Sequence, residues 1–213
     1  MVRAVSTDLL PKSWRLTLVR ALKEAILFNS KMAEFDCQKP KTGMILLHNI
    51  RALGSKYDAI LLQETKYVLT EDRKLGLALE GWTIFHSNHD SRNTGGVTTC
   101  VSKAITDRYK VVQINTSSSL NGRVLLLRLS PMDPDSGDKT VVLGNVYLSA
   151  KSVVERRQQL VQIAAEEAGD HNIFLGDWNT ILREEESTGS NVQKGTAFRD
   201  AWDLFLTKFG LPR

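Results

Sequence analysis

Cysteine is scarce in this chain. Cys37 and Cys100 are the only two in 213 residues, and they offer no metal-ligand spacing, so two reduced thiols are expected and not a disulfide framework. Histidine is sparse as well, with His48, His86, His89 and His171 making up all four. No apolar run is long enough to cross a bilayer, and the opening MVRAVSTDLLPKSWR lacks the continuous apolar stretch of a secretory signal. An intracellular protein, nuclear or cytoplasmic and without a membrane partner, is therefore expected. Solenoid-length repeats and low-complexity tracts are missing too. What is present is ordinary for a globular chain: 42% hydrophobic and 24% charged residues, with four Trp, seven Phe and four Tyr, enough for one sizeable core.

The formal charge of +4 and the isoelectric point near 9.1 point weakly to a polyanionic partner. Residues 1–60 carry 10 Lys/Arg against 5 Asp/Glu, which leaves 18 of the 28 basic and 19 of the 24 acidic residues for the remainder. The excess is N-terminal, and phosphate binding depends on clustered charge more than on the total.

Periodicity organises the rest. Trp14, Leu18 and Leu22 recur at helical spacing after a Ser13 cap, and EAILFN then reads as a strand. MILLHNIRALGSK is a helix stopped by Gly54, and it leads into YDAILLQE, whose apolar run from Ala59 to Leu62 predicts a central strand covered on both faces. WTIFHS, GGVTTCVS, YKVVQIN, GRVLLLRLS and KTVVLGNVYLS are short β-rich runs separated by turns such as Asn121-Gly122 and Asp135-Ser136-Gly137, which suits antiparallel hairpins. SVVERRQQLVQIAAEEAG predicts a helix with Val154, Leu160, Val161 and Ile163 toward the core and Gly169 as its stop; His171 falls in the loop that follows. The strand NIFLGD and a helix near GTAFRDAWDLFLTKFG close the chain. Strands arriving both in hairpins and in βα pairs predict a mixed sheet, or two packed sheets with helices outside.

Several of these strands finish on a polar group: Asn29 after AILF, Gln63 and Glu64 after AILL, Tyr147 after LGNV, and Asp177 with Asn179 after IFLG. Carboxyl ends of neighbouring strands share one rim, so these side chains are candidates for one site. Each also has a plain structural explanation. Glu64 suits a solvated strand end, and Asp-x-Asn after a strand commonly closes an Asx turn. As a set, carboxylates and carboxamides without a Cys/His cluster are hard oxygen ligands that favour Mg²⁺ or Mn²⁺ over zinc.

Five segments, in order, resemble signatures of the endonuclease/exonuclease/phosphatase superfamily, the deoxyribonuclease I-like fold: YDAILLQETK, GGVTTCVSK, GRVLLLRLS, GNVYLSA and FLGDWNTIL. The tail GDWNTILREEESTG…FRDAWDLFLTKFGL is most similar to the apurinic-type endonuclease domains of non-LTR (LINE-type) retrotransposons. The resemblance implies an α/β (α+β) fold, a four-layer sandwich of two packed mixed β-sheets with outer helices. It spans residues 25–213 behind a helical extension at 1–24. It also implies that Glu64 holds a divalent metal, Mg²⁺ or Mn²⁺, with Asn29 and Asp177 as further ligands. Asp177 would orient and deprotonate the attacking water, Asn179 would place the scissile phosphate, and Tyr147 would contact that phosphate or support the metal. The implied activity is nicking of DNA by phosphodiester hydrolysis, and the implied partner is a reverse transcriptase domain in the same parent polypeptide.

The pattern departs from the family in places. Relatives complete the site with an Asp and then an Asp-His pair near their C-terminus, whereas here all four histidines precede the Gly-Asp-Trp-Asn turn. The chain is accordingly expected to stop short of the last strands, leaving apolar surface and unpaired edges, and to be weak or inactive by itself. Asn29 is followed by Ser30-Lys31 where relatives carry an apolar residue and Gly, which keeps Asn49 as a competing candidate. Tyr147 lacks the usual Pro two residues on. Two alternatives share the observations: a phosphatase of nucleotides, inositides or lipids on the same fold, and a non-catalytic remnant that binds nucleic acid through the basic N-terminal residues.

Overall fold

In the computed structural model, residues 58–63, 65, 81–88, 95–180 and 196–211 are described. The expected helices at 13–23 and 43–54, the EAILFN strand, and Asn29, Asn49, His48 and Glu64 lie outside them.

Three strands, β1 (Ala59–Gln63), β2 (Trp82–Ser87) and β3 (Val97–Ser102), pair antiparallel in the order β1-β3-β2. A single-turn helix, α1 (Lys103–Thr106), then carries the chain over to a second sheet. That sheet contains β4 (Tyr109–Ile114), β5 (Val124–Pro131), β6 (Val141–Tyr147) and β7 (His171–Asp177), in chain order. Its first two pairings are antiparallel and β6–β7 is parallel, joined through α2 (Val153–Ala164); α3 (Thr196–Lys208) follows β7. The α/β class and the two packed sheets thus match expectation, and the larger sheet is the mixed one. Helices cover the outer face of that sheet, so the described residues hold three of the four expected layers.

Alternation along β6 shows how the layers are held. Val142 and Val146 point to the helix side, where they join Leu160, Ile163, Phe174, Trp178, Phe198 and Phe205. Val141, Leu143 and Tyr147 point to the other sheet and pack with Val97, Val101, Leu127 and Ile173. Phe174, fully buried, meets Phe205 edge-on with centroids 5.0 Å apart. Burying one such side chain stabilises the fold by about 1.5–3 kcal/mol, so the aromatic group on this face anchors α3 to the sheet. Gly144 leaves room for it, since a Cβ there would sit 2.3 Å from Phe174 Cδ1.

Among the described residues β3, buried throughout, lies between β1 and β2, and β1 is half-buried along its length. Three expectations need correction. Val154 and Val161 are exposed, at 62% and 44%. The inward face of α2 carries Arg156, Gln159, Leu160, Ile163 and Ala164, and their 3–4 residue spacing is equally helical. Gly169 does not stop α2, which ends at Ala164; it lies in the loop, where its amide donates to Asn172 Oδ1 at 2.9 Å. His171 is the first residue of β7, its amide bonded to the Thr140 carbonyl at 3.1 Å. Cys100 is a buried free thiol that desolvation pushes up to about 12. None of the described helices is long and apolar enough to cross a membrane.

Candidate active site at one rim of the sheets

Tyr147 and Asp177 end β6 and β7 and are register partners across the parallel pair. This closeness requires Gly176, whose φ is +150° and where a Cβ would lie 1.8 Å from the Val146 carbonyl oxygen. Any side chain there would force the two strands apart.

Beyond Asp177 the chain turns sharply. The Asn179 amide donates to Asp177 Oδ1 at 2.9 Å, closing the Asx turn, and Asn179 adopts φ 47°, a left-handed conformation that asparagine tolerates better than most residues. Asn179 Nδ2 donates to the Leu148 carbonyl at 2.7 Å, and the Leu148 amide donates to the Asp177 carbonyl at 2.9 Å. Trp178 points the opposite way, into the helix-side core, against Trp202 at 5.1 Å and Phe205 at 5.3 Å. Gly-Asp-Trp-Asn therefore folds as a unit in which glycine admits the close approach, tryptophan anchors, and the carboxylate and carboxamide stay at the rim.

The three-stranded sheet reaches the same rim through a buried amide. Asn145 lies two residues before Tyr147 on the inter-sheet face and is fully buried. Its Nδ2 donates to the Thr98 carbonyl at 2.9 Å and the Leu62 carbonyl at 3.2 Å, while its Oδ1 accepts from Gln63 Nε2 at 2.7 Å. The end of β1 is thereby tied to β6. A second seam runs through Gly96, whose amide donates to the Gly122 carbonyl at 2.8 Å and whose carbonyl accepts from the Thr65 amide at 3.1 Å. The Gly122 amide in turn donates to Ser87 Oγ at 2.9 Å. Gly-Gly-Val and Gly-Arg, two of the five sequence signatures, meet in this seam. Arg123 follows; its carbonyl accepts the Tyr147 amide at 2.7 Å, and its guanidinium lies 5.0 Å from the centre of the Tyr147 ring.

Of the expected site residues, Tyr147, Asp177 and Asn179 are brought together. Glu64 and Asn29 fall outside the described residues. Among those described, no group of three or more His, Cys, Asp or Glu gathers to hold a metal. Asp177 does fit a cation as one ligand of a set. One of its oxygens takes a neutral N–H, and among the described residues no Lys or Arg neutralises it. Sequence reasoning passed over Asn145 and Arg123. A lone polar residue in the inward phase of VVLGNVY marks a buried hydrogen-bonded group, and it was the available signal.

The chain matches the family described as Endonuclease/Exonuclease/phosphatase family over residues 39–208. No curated protein matches it. Among solved structures it is similar to the endonuclease domain of TRAS1, a telomere-specific non-LTR retrotransposon, at 17% identity and TM-score 0.49, covering 76% of this chain and 64% of that one. An endonuclease/exonuclease/phosphatase family protein from Bacteroides thetaiotaomicron is similar at 13% identity and TM-score 0.47, covering 77% and 57%. Humanized D. rerio TDP2 is similar at 20% identity and TM-score 0.43, covering 70% and 59%. The chain spans less than two thirds of the length of each.

Proposed function

The chain belongs to the endonuclease/exonuclease/phosphatase family, and from that premise we propose that it hydrolyses phosphodiesters, nicking DNA at the rim formed by Tyr147, Asp177 and Asn179. The observation that carries this is Asp177: an acceptor-only carboxylate held in register beside Tyr147, with no cationic side chain neutralising it among the described residues. A carboxylate so placed is suited to take the proton of an attacking water. Asn179 uses one Nδ2 hydrogen on Leu148 and has a second to give to a phosphate oxygen. Tyr147, held from behind by the Arg123 carbonyl and faced by its guanidinium, is the second contact for that phosphate.

Mg²⁺ or Mn²⁺ would be held by Glu64 with Asp177 and Asn29, and supplies polarisation of the phosphate and a more acidic water. In support, Gln63, adjacent in sequence to Glu64, is bonded to Asn145 on the strand that ends in Tyr147. The biological setting we propose is the endonuclease part of a retroelement polypeptide that also carries a reverse transcriptase, on the likeness of the tail to those domains. Conversion of supercoiled plasmid to open circle in Mg²⁺ tests the reaction, with Asp177→Ala as its control. Nicking that Asp177→Ala leaves untouched would overturn the residue roles. Turnover of small phosphomonoesters without nicking would move the assignment to a phosphatase.

A further inference from the structure

Two consecutive residues after Tyr147 have all four of their backbone polar groups engaged, and the engagements divide cleanly. Leu148 uses both of its groups on the candidate site, its amide on the Asp177 carbonyl at 2.9 Å and its carbonyl on Asn179 Nδ2 at 2.7 Å. Ser149 uses both of its groups on α2. Its amide donates to Gln159 Oε1 at 3.0 Å and its carbonyl accepts from Arg156 Nη1 at 2.7 Å. Glu155 closes the arrangement, accepting from Ser149 Oγ at 2.6 Å and from Gln159 Nε2 at 3.3 Å. Ser149, Arg156 and Gln159 are only 1%, 5% and 3% exposed.

Long polar side chains are costly to bury and are kept inside only when hydrogen-bonded. Here α2 turns Arg156 and Gln159 inward while leaving Val154 and Val161 outside. Desolvation lowers the Arg156 guanidinium from its ordinary value, and the Glu155 carboxylate opposes that. The two inward side chains grip a single peptide segment, and the next residue back holds the Asn179 carboxamide.

We propose that Arg156 and Gln159 are positioning residues for the candidate site, clamping Ser149 so that the Leu148 carbonyl fixes the Asn179 side chain beside Asp177. The inference rests on the phosphodiesterase function proposed above for its catalytic meaning, but the clamp itself can be read without any turnover. In ¹⁵N spectra of the whole chain, the Asn179 side-chain amide pair is assigned by its disappearance in Asn179→Asp. Arg156→Met displaces or broadens that pair; Arg156→Lys, which retains a donor for the Ser149 carbonyl, restores it; and Val154→Ser on the outer face leaves it in place. Gln159→Met removes the acceptor for the Ser149 amide, together with the Nε2 donor to Glu155, at nearly constant volume, so it serves if Arg156→Met does not fold, and it moves the pair as well. A pair unmoved in folded Gln159→Met overturns the proposal. Where plasmid nicking is measurable, kcat falls roughly tenfold at constant KM in the same variants. A chain that does not nick leaves the amide result to decide the clamp by itself.

Discussion

The sheets have two rims, both rich in polar side chains, and among the described residues the two satisfy those side chains differently. At the rim opposite Tyr147 and Asp177, charges find each other: Arg108 Nη2 pairs with Asp138 Oδ2 at 2.9 Å, and Lys103 Nζ with Asp107 Oδ1 at 2.5 Å. Asp58, at the head of β1, is also there; burial raises its carboxyl above the ordinary 3.8, partly offset by Arg108. At the candidate rim the polar side chains are spent on backbone groups, through Asn179 on Leu148, Asp177 on the Asn179 amide, and Asn145 on Leu62 and Thr98. Backbone bonding fixes geometry without supplying a counter-charge, and so leaves a carboxylate able to receive a cation or a proton. Polar strand ends alone do not distinguish a site; how they are satisfied does.

The sharpest break of this comparison is in the glycines. Gly176→Ala, with its Cβ 1.8 Å from a backbone oxygen at the candidate rim, is expected to cost more than about 4 kcal/mol and to unfold or reshape the β6–β7 end. Gly137→Ala, in open space before β6 at φ +74°, should cost about 1 kcal/mol, from backbone strain alone. Equal urea midpoints for the two variants would contradict the close approach.

Next in size, Asp177→Ala should lower nicking by roughly 10²- to 10⁴-fold with the melting temperature little changed. Asp138→Asn, which removes the paired carboxylate of the other rim, should leave nicking intact and shift stability by no more than about 1 kcal/mol. Comparable activity losses in both would erase the distinction between the rims.

Asn145→Leu strips the donors from two carbonyls that face the inter-sheet core. A stability loss of about 2–3 kcal/mol by chemical denaturation is expected; a neutral result would mean that the sheets are positioned without it.

The smallest effect concerns Asp58. Its folded-state value is raised, so the stability that it contributes is fully present below its unfolded value and is lost as pH rises through the folded one. Asp58→Asn should therefore be slightly more stable than the parent at neutral pH, within about 0.5 kcal/mol, with the advantage shrinking as pH falls through the raised folded-state value and gone below 3.8. A variant that is less stable at neutral pH would show that the Arg108 attraction outweighs desolvation.

Tyr147 and Asp177 were legible in the chain because each ends an apolar run and sits in a recognisable local signature. The two-sheet α/β arrangement was legible for the same reason, as hairpin turns and βα pairs announce themselves over short spans. The helical face of α2 was not. Val154 and Val161 share a helical face as convincingly as Leu160 and Ile163 do, and only the Ser149 backbone lying against α2 explains why Arg156 and Gln159 turn inward. The place of β3 between β1 and β2 was equally hidden, since VTTCVS carries three hydroxyl residues and does not announce a buried strand.

By itself, then, the sequence determined which residues end strands and turns, because backbone preference and alternation act over a few positions: Gly176 before Asp177, Asn179 able to accept a positive φ, Tyr147 at the end of VVLGNVY. The tertiary structure alone decided that Tyr147 and Asp177 stand in register, that Asn145 binds β1 to β6, and that an arginine and a glutamine of α2 face inward. Those outcomes depend on contacts between residues far apart in the chain, whose partners are chosen by packing and by the need of buried polar groups for hydrogen bonds.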